Sequence, residues 1–125
     1  MQRTLIISNT TDMLRIMPTD IMCIKAEGNY STLTATDGED TLISFQLGQI
    51  EQMIGEQLEE EDANMFIRIG RGAIINRRYI FTINIPHQQL CLRSDCGKRT
   101  RIEASRESLK QLKLYIEKFE NKVIK

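Results

Sequence analysis

The chain has 125 residues, the size of one ordinary domain. Apolar residues make up 41% and charged residues 27% of it, which is typical of globular proteins. No stretch is apolar enough to span a membrane, and the N-terminus lacks a signal-peptide pattern. The three cysteines, an odd number, argue against a disulfide framework. We therefore expect a single cytoplasmic domain over residues 1–125, with its core at about 4–118.

Charge is distributed unevenly along a chain whose 17 basic and 17 acidic residues cancel. Residues 37–62 contain nine acids and no Lys or Arg, whereas residues 68–106 contain nine bases and two acids, a local sum of +7. Such asymmetry indicates a surface that binds a polyanion. A solvated domain whose charges happen to segregate explains the same pattern, so the motifs must decide between these readings.

Short strands are predicted through the first third of the chain. Apolar, β-branched or Thr-rich segments with high strand propensity occupy residues 4–8, 13–17, 20–26, 30–36 and 41–45. Between the last two, Asp37-Gly38 is a strong hairpin signal. Asn9–Asp12 and Glu27–Asn29 are predicted to be turns or loops that separate earlier strands.

The apolar period then changes to that of a helix. Leu47, Ile50, Ile54 and Leu58 recur at spacings of three and four, which predicts an amphipathic helix. The acidic run Glu59–Asp62 comes at the C-terminal end of this helix, where the macrodipole disfavours negative charge. We expect that run to fray into a loop.

Strands return in the second half, at residues 65–69, 79–85, 89–93 and 98–104. Gly70-Arg71-Gly72 interrupts the first of them, and residues 73–76 are predicted to form a short apolar packing segment. Ser105 is a good N-cap for a C-terminal helix, whose apolar stripe consists of Leu109, Leu112, Ile116, Phe119 and Val123. We expect this stripe to dock on the domain's own sheet, with a dimer seam as the alternative.

The sequence offers no residues for an enzyme mechanism. Cys23, Cys91 and Cys96 lack the paired spacing of a zinc site, and the single histidine, His87, is predicted to lie in a loop. No nucleophile elbow, Walker loop or dinucleotide fingerprint occurs. We therefore expect no catalysis, no metal, no cofactor and no small-molecule substrate.

Several motifs follow one another in a fixed order along nearly the whole chain. They are Asp20–Ser31, Asp37-Gly38, the Leu47–Leu58 helix, Phe66–Ile80 and Ala104-Ser105-Arg106. This order resembles the LytTR DNA-binding domain, the output module of many bacterial response regulators. The family pattern is a strand ending in E-A-x-x-x-Y, a hairpin, a helix, F-x-R-x-H-R-S-x-x-V-N, two further strands and S-R. Departures from it are Gly70-Arg71-Gly72 in place of H-R-S, Ile75 in place of Val and Lys25 in place of Glu.

The resemblance implies a mainly β, elongated domain of short antiparallel sheets with one mid-chain helix and a C-terminal helix. It also implies sequence-specific binding of double-stranded DNA, by loops inserted in successive major grooves of a bent duplex, as a bacterial transcriptional regulator of two-component type. Carried over residue by residue, the base-contacting positions are Asn29, Ser31, Arg71 and Arg106. Since no receiver domain is seen, the chain resembles a stand-alone regulator or an excised output domain.

Residue chemistry supports two of these positions independently. Arg71 lies between two glycines, where an uncrowded backbone lets a guanidinium approach guanine, and Arg106 follows a helix N-cap, where N–H groups favour phosphate. Arg68 is equally consistent with a structural ion pair and a phosphate contact. Candidate phosphate contacts, for which solvated charge is the alternative, are Arg77, Arg78, Lys98, Arg99 and Arg101.

The expected partner is double-stranded DNA with direct or inverted repeat sites, bound by one copy or by two. One alternative is a protein-protein interaction module in a signalling pathway, with the acidic half as its working surface. Another is a single-strand nucleic-acid binder, which needs exposed aromatic platforms. Most of the seven aromatic side chains are expected on apolar faces, which argues against that function.

Overall fold

The computed structural model describes residues 3–120, within which the chain forms ten β-strands and three α-helices. The strands are β1 (Leu5–Ser8), β2 (Met13–Ile16), β3 (Ile21–Glu27), β4 (Tyr30–Ala35), β5 (Asp40–Ile43), β6 (Phe66–Ile69), β7 (Ala73–Asn76), β8 (Ile80–Asn84), β9 (Gln89–Arg93) and β10 (Arg99–Glu103). The helices are α1 (Leu47–Gln57), α2 (Glu60–Ala63) and α3 (Arg106–Glu120). The predicted mainly β class, with a mid-chain and a C-terminal helix, is confirmed.

The strands form three antiparallel sheets in the described part of the chain. Strands β1 and β2 pair alone, the central sheet has the order β5-β4-β3-β7-β6, and the third sheet has the order β10-β9-β8. Residues 73–76, predicted as a packing segment, are a strand that pairs with both β3 and β6. All four of its residues are buried. An interior strand covered on both faces shows no alternation, which is why its sequence gives no strand period.

The five-stranded sheet lies between two hydrophobic cores. Because side chains alternate along a strand, neighbouring residues of β3 and β7 enter different cores. Ile24 and Ile74 pack with Leu47, Ile50 and Ile54 of α1 and with the β1–β2 hairpin. On the other face, Cys23, Ala73 and Ile75 pack with the three-stranded sheet and α3 and form the second core, whose further members include Leu90, Leu92, Ile102, Leu109 and Leu112.

The acidic run after α1 is helical, contrary to the expectation that it would fray. Helix α1 ends at Gln57, and a new short helix, α2, covers Glu60–Ala63. The acids Glu60, Glu61 and Asp62 therefore lie in the first turn of α2 rather than in the last turn of α1. At an N-terminal turn the macrodipole favours negative charge, so the same residues stabilise a helix start.

The apolar stripe of α3 covers the sheet only along its first turns. Leu109 and Leu112 are buried in the second core, and Ile116 is half-buried. Phe119 is 49% exposed, so the docking predicted for the whole stripe is wrong at this position. Val123 lies outside the described residues.

A buried asparagine fixes the end of β7. The amide of Asn76 donates to the carbonyl oxygens of Ile21 at 2.9 Å and Pro18 at 3.4 Å. Its Oδ1 accepts from the backbone N–H of Arg78 at 3.0 Å, which starts the 3-10 turn Arg77–Tyr79. Every polar group of this fully buried side chain has a partner, so Asn76 serves the fold.

Candidate nucleic-acid interface

Four chain segments that are distant in sequence meet at one end of the molecule, the turn end: residues 28–29, 70–72, 85–88 and 105–106. The N–H of Ala26 donates to the Gly72 carbonyl at 2.9 Å, which places the β3–β4 turn beside the β6–β7 turn. A Cβ built on Gly70 would lie 3.9 Å from the Ser108 hydroxyl, so α3 begins next to the same turn. The Arg106 guanidinium reaches the Pro86 carbonyl at 3.4 Å, which adds the β8–β9 turn.

Arg71 is exposed at the tip of the β6–β7 turn. Gly70 has a φ of +54°, the left-handed region that glycine adopts without a Cβ clash. The turn is held from both sides, because the Gly70 carbonyl accepts from Arg68 Nε at 2.8 Å and the Gly72 carbonyl accepts from Ala26. The fold therefore presents the Arg71 side chain to solvent on a braced backbone.

Arg68 braces that turn and forms a structural ion pair, which is one of the two roles that its sequence position allows. One guanidinium nitrogen donates to the Gly70 carbonyl, and another forms a 2.9 Å ion pair with Glu51 of α1. Its side chain is only 29% exposed. The ion pair that the sequence allows is therefore present, and it engages two of the five guanidinium N–H donors, so a contact of Arg68 to the DNA backbone stays a prediction.

Asn29 is exposed in the β3–β4 turn and is oriented by a residue of another element. Its Oδ1 accepts from Gln46 Nε2 at 3.2 Å, and Gln46 is the N-cap residue of α1. The backbone N–H of Gln46 is bonded separately to Gln49 Oε1 at 2.9 Å. This arrangement leaves the Asn29 amide NH₂ to donate outward.

Replacing Gln46 by serine tests this orientation. Serine is a preferred N-cap residue, so α1 keeps its cap while Asn29 loses its partner. We expect an unchanged melting temperature and a loss of cognate-DNA affinity of about 0.5–1.5 kcal/mol, the usual worth of one hydrogen bond. Thermal unfolding and duplex titration measure the two effects, and unchanged affinity would show that the orientation of Asn29 is irrelevant to binding.

Ser31 is not available to DNA, contrary to the position carried over from the family. Its side chain is fully buried in β4. The hydroxyl donates to the Phe45 carbonyl at 2.7 Å, which ties β4 to the segment before α1. Ser31 and Leu33, alternate residues of this strand, are both buried, so Ser31 serves the core, whereas Asn29 in the preceding turn remains at the surface.

Arg106 is the first residue of α3, and the predicted N-cap before it is confirmed. The Ser105 hydroxyl accepts from the backbone N–H of Ser108 at 3.1 Å. The neighbouring β8–β9 turn carries exposed Pro86 and His87, and its Gln88 has a φ of +53°. Sequence reasoning placed His87 in a loop but missed its position at the turn end, because only the tertiary fold brings that loop to α3.

The other basic candidates lie away from this end or have protein partners. Arg77 donates to the Tyr115 hydroxyl at 2.8 Å, and Arg78 lies 3.7 Å from Asp95. The side chain of Lys98 lies against Gly38 at the opposite end of the central sheet. Arg99 and Arg101 are exposed on the outer face of the three-stranded sheet, and the structure shows no ion pair for either among the described residues.

Comparison with protein families identifies the class of this chain. The family model of the LytTr DNA-binding domain matches residues 11–117. The chain belongs to the LytTr DNA-binding domain family. This confirms the family resemblance and the general expectation of DNA binding and regulation. The LytTr family is a family of DNA-binding domains rather than of enzymes. Among curated proteins no match is found.

A solved structure has the same fold. It is the LytTr DNA-binding domain of a protein described as a methyl-accepting/DNA response regulator from Bacillus cereus. The TM-score is 0.60 at 18% sequence identity, over 91% of this chain and 96% of that chain. At this identity the similarity concerns the fold, which agrees with the three antiparallel sheets of this LytTr domain.

The cysteines of this LytTr domain do not form a metal site. Burial raises the pKa of the Cys23 thiol, which belongs to the second core. Cys96 is exposed at the β9–β10 turn, where a hydrogen bond with Ser94 and one from the Lys98 backbone lower its pKa. Within residues 3–120 no cluster of His, Cys, Asp or Glu could hold a metal ion. Over the same residues no helix has the length and hydropathy needed to cross a membrane.

Aromatic side chains are more exposed in this LytTr domain than the sequence suggests. Tyr30, Phe81, Tyr115 and Phe119 are each at least 40% exposed, so the expectation that most aromatics lie on buried apolar faces is wrong. They are spread over β4, β8 and α3, and among the described residues the one stacked pair is Tyr115 and Phe119, with ring centroids 4.9 Å apart. A single-strand binding platform needs successive stacking positions, which this distribution does not supply.

Proposed function

We propose that the chain binds double-stranded DNA sequence-specifically through its turn end and acts as a bacterial transcriptional regulator. The observation that carries the proposal is the convergence of Asn29, Arg71 and Arg106 at that end. Asn29 and Arg71 lie in two different turns and Arg106 begins α3, so these residues are far apart in sequence. Only the tertiary fold brings them to the same end of the molecule. Loops on a rigid sheet scaffold are the usual carriers of binding side chains.

The three side chains suit different features of a base edge. A guanidinium such as that of Arg71 binds guanine O6 and N7 bidentately in the major groove. Asn29 presents amide N–H groups, which donate to acceptors such as N7 of adenine or guanine. Arg106 can use its guanidinium on a base while the backbone N–H groups of the α3 N-terminus bind a phosphate.

The proposed DNA-backbone contacts are Lys98, Arg99 and Arg101, with Arg77 and Arg78 as further members. The first three are exposed, and Arg99 and Arg101 show no ion pair within residues 3–120. Arg77 and Arg78 each have one protein partner, Tyr115 and Asp95, and guanidinium donors beyond it. Such contacts position a duplex without reading its sequence.

Two copies of the domain are proposed to bind direct or inverted repeats, with loops in successive major grooves and a bend between them. The half-sites are then set by DNA geometry, about one helical turn or a multiple apart. The domain alone is proposed to be monomeric, because Leu109 and Leu112, the centre of its longest apolar stripe, are used in its own core. The alternative, a protein-interaction module that uses the acidic half, has less support. Glu60 and Glu61 of α2 are exposed, as expected for solvated charges.

The proposed function is tested by the preference for duplex and by salt. A cognate duplex is obtained by selecting bound sequences from a random pool, and the matching single strand serves as control. We expect tighter binding to the duplex, with an affinity that falls steeply between low and moderate salt because each neutralised phosphate releases about one counterion. Affinity that stays flat over that salt range, or equal affinity for the single strand, would refute the proposal.

A further inference from the structure

The outer face of the three-stranded sheet carries a stacked cationic cluster that the turn end does not use. The guanidinium carbon of Arg93 lies 3.8 Å from the ring centroid of Phe81, and that of Arg99 lies 5.2 Å from the same centroid. All three side chains are exposed, with Phe81 43% accessible. These three residues form the Arg–Phe platform.

The two positive charges of this platform are not balanced by a carboxylate among the described residues. Arg93 and Arg99 are direct cross-strand partners in the β9–β10 register, and like charges in such a pair are destabilising. No carboxylate forms an ion pair with either residue within residues 3–120. The ring of Phe81 packs with the guanidinium groups rather than in either core. Two adjacent cations without an anion are an arrangement suited to an external polyanion.

The ring prepares the two arginines for binding. An arginine stacked on an aromatic face is held by a cation–π interaction, so it loses less side-chain freedom when it binds. The planar guanidinium keeps its N–H edges for an acceptor, and its fork matches the oxygens of a phosphate. The platform therefore favours a phosphodiester over a diffuse negative surface such as a set of flexible carboxylates.

We propose that the Arg–Phe platform binds the sugar-phosphate backbone of duplex DNA that flanks the bases contacted by the turn end. This inference rests on the proposed function and adds Arg93 and Phe81 to the interface. Strand β10 runs from the platform towards α3, with exposed Arg101 between them. Arg106 is seven positions after Arg99, so at about 3.3 Å per residue their Cα atoms are at most roughly 23 Å apart. At 3.4 Å per base pair this corresponds to about seven base pairs of flanking duplex.

Duplex length separates the platform from the turn end. Two duplexes carry the same selected half-site, one with minimal flanks and one extended by about one helical turn, or 10 base pairs, on each side. We expect wild-type protein to bind the extended duplex several-fold more tightly. Arg93→Ala should lose this gain and reduce the salt slope on the extended duplex by about 1, while binding the short duplex like wild type.

Two further variants make the result interpretable. Phe81→Leu keeps an apolar side chain at an exposed position but removes the ring, so it should lose part of the gain from the flanks without loss of folding. Arg15→Ala removes an exposed arginine of β2, in the hairpin that packs with α1 in the other core, and it should leave the gain unchanged. Thermal unfolding of each variant checks that the fold is intact.

The outcomes distinguish this inference from the function on which it rests. If wild type binds the short duplex specifically but Arg93→Ala keeps the full gain from the flanks, the platform does not bind DNA and the proposed function stands. That result would point instead to an acidic protein partner. Equal losses on both duplexes would place the platform within the half-site and overturn the flanking position. Absence of duplex binding by wild type would remove both proposals together.

Discussion

Replacing Leu112 with glutamate should destabilise the domain severely. Leu112 is 4% exposed and packs in the second core, between α3 and the two sheets it covers. A carboxylate there would be buried without a partner, which costs far more than the apolar contact it replaces. We expect a loss of about 3–5 kcal/mol from a total stability of about 5–15 kcal/mol. Circular dichroism and thermal or urea unfolding measure it.

The same helix provides a matched control two residues further on. Leu114 is 65% exposed, so Leu114→Glu should melt like wild type. Sedimentation of wild type at increasing concentration then tests the monomer proposal independently. A Leu112→Glu monomer that keeps the unfolding free energy of wild type, together with a wild-type dimer in the absence of DNA, would mean that the stripe of α3 is a dimer seam.

Sequence patterns predicted elements well where one face of an element meets water. Helix α1 was predicted from Leu47, Ile50 and Ile54, which are buried at the expected spacing. Strand β10 lies within the predicted range 98–104, and its side chains alternate, with Arg99 and Arg101 outward and Ile102 inward. The pattern failed at β7, which is buried on both faces, and at α2, where the helix break at Leu58 moved the acids from a helix end to a helix start. Both failures have the same cause: the spacing of apolar residues in a short segment does not show how that segment packs in the tertiary structure.

The sequence predicted which residues of the candidate site lie in turns, but it did not predict which residues contact one another. Arg71 and Asn29 are exposed in turns, as expected. The pairing of Arg68 with Glu51, seventeen residues earlier in the chain, depends on how α1 packs across the sheet. The burial of Ser31 follows from the strand register, which fixes the face of a residue only once the turn before it is known. The role proposed for Arg93 could not be predicted from the sequence, because it depends on Phe81, which the fold places beside Arg93 on β8.

Replacing Arg71 with alanine should weaken cognate binding by about 1–3 kcal/mol and relax the preference at one base step. The side chain is exposed on a turn whose carbonyls are fixed by Arg68 and Ala26, so the substitution removes a guanidinium without disturbing the backbone. Loss of a bidentate contact to guanine lowers discrimination among bases, not only total affinity. Titration of the selected duplex and of duplexes substituted at each position measures both quantities.

The control for Arg71→Ala is Arg99→Ala, which removes an equal charge from the outer face of β10. A phosphate contact carries no sequence information, so Arg99→Ala should weaken cognate and random duplexes alike and lower the salt slope. The two variants thus separate base reading from charge, because both lose one positive charge while only one should change the ranking of sequences. If Arg71→Ala keeps the wild-type ranking, Gly70-Arg71-Gly72 is a second phosphate contact. Sequence reading would then fall to Asn29, Arg106 and the His87 turn beside them.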